Sequence, residues 1–300
     1  MKYKIWLDKW LDNCVKPFVK VRTYCKYRMI VLRHISSALG EYELEELSAI
    51  VLQEFVSGLL GTLSPCTVNG IITPLKASLN QAVQMGVAKA QYADGILHPK
   101  QEERKVACFT VDEQHRIEEY VKSGKTQWLG ILVCLYSGLR IGELMALTSD
   151  DVDLHAMQIT VSKSCHDSWE NGQYIKRIDS PKTASSKRII PIPRSLLPYL
   201  KRLKKECRSE YLICNGSKDI SVRAYQRSFE LILKHLGIEH KGFHSLRHTF
   251  ATRALECGMD VKTLSEILGH KSVNITLNRY AHSLDEHKVA MMNKLGKMLQ

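Results

Sequence analysis

The sequence predicts a mainly α-helical chain with one small antiparallel β-sheet. An all-α N-terminal domain over residues 1–92 is followed by an α+β domain over 110–285. Three observations predict this. Apolar residues recur at helical spacing through the first part of the chain. Strand-like runs are short and confined to 158–192. After Val222, helical segments alternate with Gly237, Gly242, Gly258 and Gly269.

The first helix is predicted from Trp6, Leu7, Trp10 and Leu11, and the second from Tyr24, Tyr27, Ile30 and Val31. A third is expected from Leu44 to Leu60. A fourth enters at Ser64-Pro65, a helix-start signal, and runs to about Lys89. Residues 93–109 carry Gly, Pro and a charge run, so they are expected to be a linker. Thr110 with Glu113 forms a capping box that opens the second domain. Trp128 to Tyr136 reads as a buried helix broken by Gly138, with a short helix from Ile141 to Leu147. Strands are predicted at Gln158–Val161, Tyr174–Ile178 and Arg188–Ile192. The polar segment SPKTASSK is expected to turn the last two into a hairpin. Leu196 to Lys205 is again helical. Residues 286–300, with Val289, Met292 and Leu295 at helical spacing, are predicted to form a final amphipathic helix.

Composition bounds the function. The 300 residues hold 43 Lys and Arg against 31 Asp and Glu, a net charge of +12 spread over both halves. A folded chain with distributed positive charge suits a polyanionic partner, although a merely basic protein has the same composition. The longest apolar stretch, Leu129 to Tyr136, is too short to cross a bilayer, and no apolar segment follows the N-terminal lysines. No membrane association and a cytoplasmic location are therefore expected. The nine cysteines include no C-x-x-C pair, which argues for reduced thiols and against a ribbon-type zinc site.

Four segments carry chemistry. In SGLRIGELMAL, Arg140 and Glu143 share a helix face; taken alone, an exposed ion pair is the better reading of them. In SPKTASSKRIIPI, Lys182 lies in a polar turn, where most lysines are solvated. In GFHSLRHTFATRAL, His244, Arg247 and His248 fall on one face near a helix start, self-repelling unless an anion lies between them. In LGHKSVNITLNRYAH, His270 follows Gly269 and Tyr280 lies on the next helix; a half-buried amphipathic tyrosine is the plainer reading. Together the set suits phosphoryl transfer. Arginine forks match the spread charge of the transition state, a phenol can attack if a base takes its proton, and the departing oxygen needs a donor.

R140-x-x-E143, K182, H244-x-x-R247, L-G-H270 and Y280 resemble, in order and spacing, the tyrosine recombinase or phage integrase family. The resemblance is strongest over 110–285. The first part resembles the family's core-binding domain more weakly. The resemblance implies that Tyr280 attacks the scissile phosphate, Arg140 and Arg247 clamp it, and Lys182 protonates the leaving 5′-oxygen, with Lys187 as the alternative. It implies that His244 transfers a proton near the tyrosine and that His270 bonds the phosphate or leaving group. Glu143 would support Arg140 and His244, and His248 would be structural. No cofactor and no metal are implied. The implied partners are double-stranded DNA at core recombination sites, three further copies of the chain in a tetramer packed through residues 286–300, and accessory DNA-bending or directionality proteins. Lys16, Lys20, Arg22 and Lys26 are candidate DNA contacts, although a solvated face explains them as well. A non-catalytic DNA-binding protein and a type IB topoisomerase remain the competing readings. A metallohydrolase using His244, His248 and His270 is disfavoured because no carboxylate is suitably spaced beside them.

Overall fold

The computed structural model of the chain describes residues 1–89, 93–101, 106–170, 173–179 and 187–299. The chain divides into two compact units, Met1–Arg104 and Lys105–Gln300.

The N-terminal unit is helical. Helix α1 (Tyr3–Trp10) runs through a π-helical turn, Leu11–Val15. Helix α2 (Val21–Ile30) does the same through Val31–Ile35 and continues as α3 (Ser36–Leu39). The expected third helix is split. A short 3-10 turn covers Leu44–Glu46, and α4 (Ala49–Leu60) starts afresh because the Ser48 side chain accepts from the Val51 N–H at 3.4 Å. Helix α5 (Pro65–Gln84) stops short of Lys89, since Gly86 turns left-handed at φ 70°. Tyr3, Trp6, Leu7 and Trp10 pack with Ile35, Leu52, Ile71 and Leu75 in the core. Ser78 satisfies the polar ends of this cluster: its hydroxyl meets the Tyr3 hydroxyl at 2.6 Å, and its carbonyl accepts from the Trp6 indole at 2.9 Å.

The C-terminal unit opens with α6 (Val111–Ser123), held by the Thr110–Glu113 capping box in both directions. Helix α7 (Leu129–Ser137) is buried almost throughout and forms the centre of the core. It is followed by α8 (Ile141–Leu144), shorter than predicted. Strands β1 (Val152–Asp153), β2 (Gln158–Val161) and β5 (Arg188–Pro191) make one sheet in the order β1-β2-β5, while β3 (Ser164–Glu170) pairs with β4 (Gln173–Asp179).

The predicted hairpin between Tyr174–Ile178 and Arg188–Ile192 is therefore incorrect. Strand β5 lies antiparallel to β2, which sets Ile159 opposite Ile190, both buried in the core. Strand β4 pairs instead with β3, in the register Cys165↔Ile178. Local alternation marks a strand but not its partner, and the polar run SCHDSWE gives no alternation to mark β3 at all. The rest of the unit is α9 (Leu197–Glu206), a small hairpin of β6 (Cys214–Asn215) and β7 (Lys218–Asp219), and then α10 (Val222–His235), α11 (His244–Glu256), α12 (Val261–Leu268) and α13 (Val273–Met298). The separate final helix expected at 286–300 is instead the continuation of α13, the helix that carries Tyr280. No helix among the described residues is long and apolar enough to cross a membrane.

Candidate active site

The site forms where α8, β5, α11, α13 and the turn after α12 meet. Two glycines make that meeting geometrically possible. Gly138 ends α7 at φ 65°, and a Cβ there would come within 2.5 Å of Phe250 on α11. Gly269 ends α12 at φ 65°, and a Cβ there would come within 2.9 Å of the Arg188 guanidinium. Both positions need a left-handed backbone and both admit a neighbour too close for a side chain.

Carbonyls exposed at these two helix ends hold the arginines. Arg247, only 2% exposed, donates through Nη1 to the Gly138 carbonyl and through Nη2 to the Leu268 carbonyl, each at 2.7 Å. Its Nη2 also meets His270 Nε2 at 3.0 Å. Arg140 donates through Nη2 to the Gly269 carbonyl at 3.2 Å and through Nη1 to Glu143 at 2.8 Å. Both arginines thus lean on the same turn, Leu268–His270. Burial, followed by the nearby Arg140, lowers the pKa of Arg247, although guanidinium stays cationic at neutral pH.

Glu143 is buried and holds these cations together. Its carboxylate accepts from the Arg140 backbone N–H at 2.9 Å and from Arg188 Nη1 and Nη2 at 3.1 and 2.9 Å. Burial opposes its ionisation, but the hydrogen bonds and charge of Arg188, then of Arg140, outweigh it and hold the carboxyl at about 2. Its partners are Arg140 and Arg188 rather than the expected Arg140 and His244. Arg188 also donates through Nε to the Ile267 carbonyl at 2.5 Å. Arg188 belongs to no motif in the sequence, but strand alternation marks it, since it falls on the same face as buried Ile190.

The histidines divide by position. His270 Nδ1 lies 2.8 Å from the hydroxyl of buried Thr276. With Arg247 donating to Nε2, the proton belongs on Nδ1, so Thr276 fixes the tautomer. No spacing rule pointed to Thr276. His248 Nδ1 lies 2.8 Å from the Tyr280 hydroxyl. The tyrosine's partner is therefore His248, which was expected to be structural. The ring of His244, expected beside the tyrosine, stacks edge-on against His248 at 4.6 Å between centroids. Burial comes first for all three histidines: with Arg247 and then Arg140 it lowers His244 and His270 to about 4, and with His244 and then Arg279 it lowers His248 to about 3. All three are neutral at physiological pH.

Tyr280, 2% exposed, packs with Ala251, Leu255, Leu264 and Leu268. Burial raises its phenol to about 12, against the opposing pull of Arg247. Lys182 lies outside the described residues; Lys187 is exposed beside β5. Lys16, Lys20, Arg22 and Lys26 are all exposed at the turn before α2 and along it. Among the described residues, no cluster of three or more His, Cys, Asp or Glu side chains is arranged to hold a metal.

Residues 108–287 match the phage integrase family, and residues 2–60 match the N-terminal SAM-like domain of phage integrases. The chain belongs to the phage integrase family. Among its tyrosine recombinase relatives is a XerC-like tyrosine recombinase of Caldanaerobacter subterraneus. It is 28% identical, over 97% of this chain and 82% of that protein. The ICEBs1 integrase of Bacillus subtilis is 26% identical, over 93% of this chain and 79% of its own length. The fold is also that of the Tn1549 transposon integrase solved with a circular intermediate DNA, at a TM-score of 0.85 and 23% identity, covering 98% of this chain and 99% of that one. A lambda integrase dimer bound to a core site superposes with a TM-score of 0.74 at 19% identity, over 93% and 95% of the two chains. Every arginine and histidine that ties the site together here lies inside the matched family segment.

Proposed function

We propose that this integrase cleaves and rejoins double-stranded DNA through a 3′-phosphotyrosyl intermediate on Tyr280, and so integrates or excises a mobile element. The observation that carries this reading is the shared turn. Arg140 and Arg247 bond to the consecutive carbonyls of Gly269 and Leu268, beside His270. His248, one residue after Arg247, holds the Tyr280 hydroxyl. Arginine forks, a neutral histidine and a phenol thus gather around the turn after α12.

In the proposed step, the Tyr280 oxygen bonds to phosphorus and the phosphorus–5′-oxygen bond breaks. The phenol proton goes to a histidine, and the 5′-oxygen takes a proton from Lys182. Arg140 and Arg247 hold the non-bridging oxygens, whose charge builds in the transition state. In the bonds above, Arg247 still has its Nε–H and a second Nη1 hydrogen to offer. The phosphotyrosine keeps the energy of the broken bond, so a second strand's 5′-hydroxyl can displace it without ATP.

Four copies on two core sites are the proposed working complex, in the cytoplasm, with accessory DNA-bending or directionality proteins. Met292 and Leu295, exposed toward the end of α13, support packing on a neighbouring copy. Lys16, Lys20, Arg22 and Lys26 would meet the DNA backbone, so binding should weaken steeply with salt.

The test is a duplex carrying the element end, nicked near the cleavage position. Wild-type protein should form an SDS-resistant adduct without added metal, and Tyr280→Phe should form none. An adduct on the phenylalanine variant assigns the nucleophile elsewhere. Relaxation of supercoiled plasmid lacking any defined site would mark a topoisomerase instead.

A further inference from the structure

A phenol that attacks phosphorus must lose its proton, and the acceptor must already lie within hydrogen-bond reach, about 2.6–3.2 Å. The Tyr280 hydroxyl is 2.8 Å from His248 Nδ1. The two rings meet edge-on, their centroids 5.8 Å apart and their planes at 60°. His244, the residue the family resemblance would assign to this task, touches the ring of His248 and is the more solvent-accessible of the two. Tyr280, His248 and His244 therefore form a file, with the phenol at its buried end and His244 at its open end.

We infer that His248 is a catalytic residue: its Nδ1 accepts the Tyr280 proton during cleavage and returns it during rejoining. The inference rests on the reading of Tyr280 as the nucleophile.

The surroundings keep the ring uncharged. Burial, His244, Arg279 and Arg247 all disfavour a second proton on His248, so the ring is neutral and can offer a lone pair at Nδ1. In the tautomer that carries its proton on Nε2, the phenol is the donor to Nδ1. Before attack the proton stays on oxygen. As the oxygen–phosphorus bond forms, electron density leaves the phenol oxygen and its proton becomes acidic. One proton then moves from Oη to Nδ1, and the resulting imidazolium lies beside the incoming phosphate charge. Strand transfer reverses each step. The 5′-hydroxyl attacks phosphorus, the phosphorus–phenol bond breaks, and Nδ1 returns its proton to the leaving phenolate. His244 at the open end is left to face the DNA.

The experiment measures single-turnover adduct formation on the nicked duplex at saturating protein, for wild type, His248→Asn, His248→Phe and Tyr280→Phe. Asparagine keeps a neutral acceptor near the Nδ1 position but cannot hold the transferred proton. Both His248 variants should bind the duplex within about twofold of wild type and form the adduct roughly 10²–10⁴-fold more slowly. Incorporating 3,5-difluorotyrosine at position 280, a phenol that parts with its proton more readily, should shrink the His248→Asn deficit at least tenfold.

Adduct formation within about threefold of wild type in the asparagine variant would overturn the inference. So would a deficit of equal size for the ordinary and the fluorinated phenol, because that marks a packing role only. If the phenylalanine variant at 248 fails to fold, the asparagine variant and the fluorinated phenol still decide. An adduct on Tyr280→Phe, by contrast, removes the nucleophile assignment itself.

Discussion

Arg188 grips Glu143 by both carboxylate oxygens, at 3.1 and 2.9 Å, and both side chains are only 6% exposed. The same guanidinium reaches the Ile267 carbonyl at the end of α12. One residue therefore ties β5 to α8 and to the turn that carries His270. Taking one partner out of a buried ion pair costs on the order of 3–5 kcal/mol, because the other charge is left unpaired. Arg188→Met should destabilise the protein on that scale and abolish cleavage. Arg188→Lys keeps the charge but loses the two-pronged grip. It should fold, with adduct formation slowed by about tenfold or more, equivalent to about 1.4 kcal/mol of barrier. Thermal melts alongside single-turnover cleavage separate the two effects; a lysine variant with wild-type kinetics would show that Arg188 does not position the clamp.

Gly269→Ala tests the turn itself. The left-handed backbone at φ 65° costs an alanine about 1–2 kcal/mol. Its methyl would also press within 2.9 Å of Arg188 Nη1. The Gly269 carbonyl that receives Arg140 would shift with the strain. The loss in cleavage rate should exceed what the drop in melting temperature explains. Equal losses would mean the turn is only a structural stop.

Acid should weaken the DNA-free protein. His244, His248 and His270 have folded-state pKa values of about 4, 3 and 4, below the unfolded value of about 6.5. As pH falls below about 6.5, the unfolded chain takes up protons that the folded site refuses, so stability drops with each step. Glu143, held at about 2, acts in the same direction lower down: its stabilisation is complete above the unfolded carboxyl value and is lost as pH falls from there through about 2. Urea midpoints should decline as pH falls from about 6.5 to 4.5. Bound duplex should flatten the decline, because a phosphate between Arg140 and Arg247 eases protonation of the histidines. A midpoint unchanged between pH 7.5 and 5 contradicts the neutral-histidine site.

Lys182 is proposed as the leaving-group acid, and that role has its own chemistry. A duplex with sulfur in place of the bridging 5′-oxygen needs no proton donor to break the bond. Lys182→Ala should cleave the ordinary duplex roughly 10²-fold or more slowly and recover most of its rate on the sulfur duplex. Lys187→Ala should lose little on either. The opposite pattern moves the assignment to Lys187.

Much of this was legible in the residues. Helical spacing, the Thr110–Glu113 box and the glycine breaks are local properties of the chain, and they marked most of the helices. The segments around Arg140, His244, Arg247, His270 and Tyr280 could be picked out because residue type and order are written in one dimension. Pairing and partnership are not. The sequence marked Gln158–Val161 and Arg188–Ile192 as strands but assigned the latter to the wrong neighbour, since matching buried faces chose β2. It named Glu143 but not Arg188, which is 45 residues away. It placed His244 beside the tyrosine and His248 in the background. On α11 the two histidines lie one turn apart, and which of them meets Tyr280 depends on how α13 packs across that helix. Residue chemistry alone thus determined which groups could handle a phosphodiester. Only the packing of α11, α13 and the turn after α12 decided which histidine holds the phenol and which arginine holds the glutamate, because hydrogen bonds act over about 3 Å of space whatever the separation along the chain.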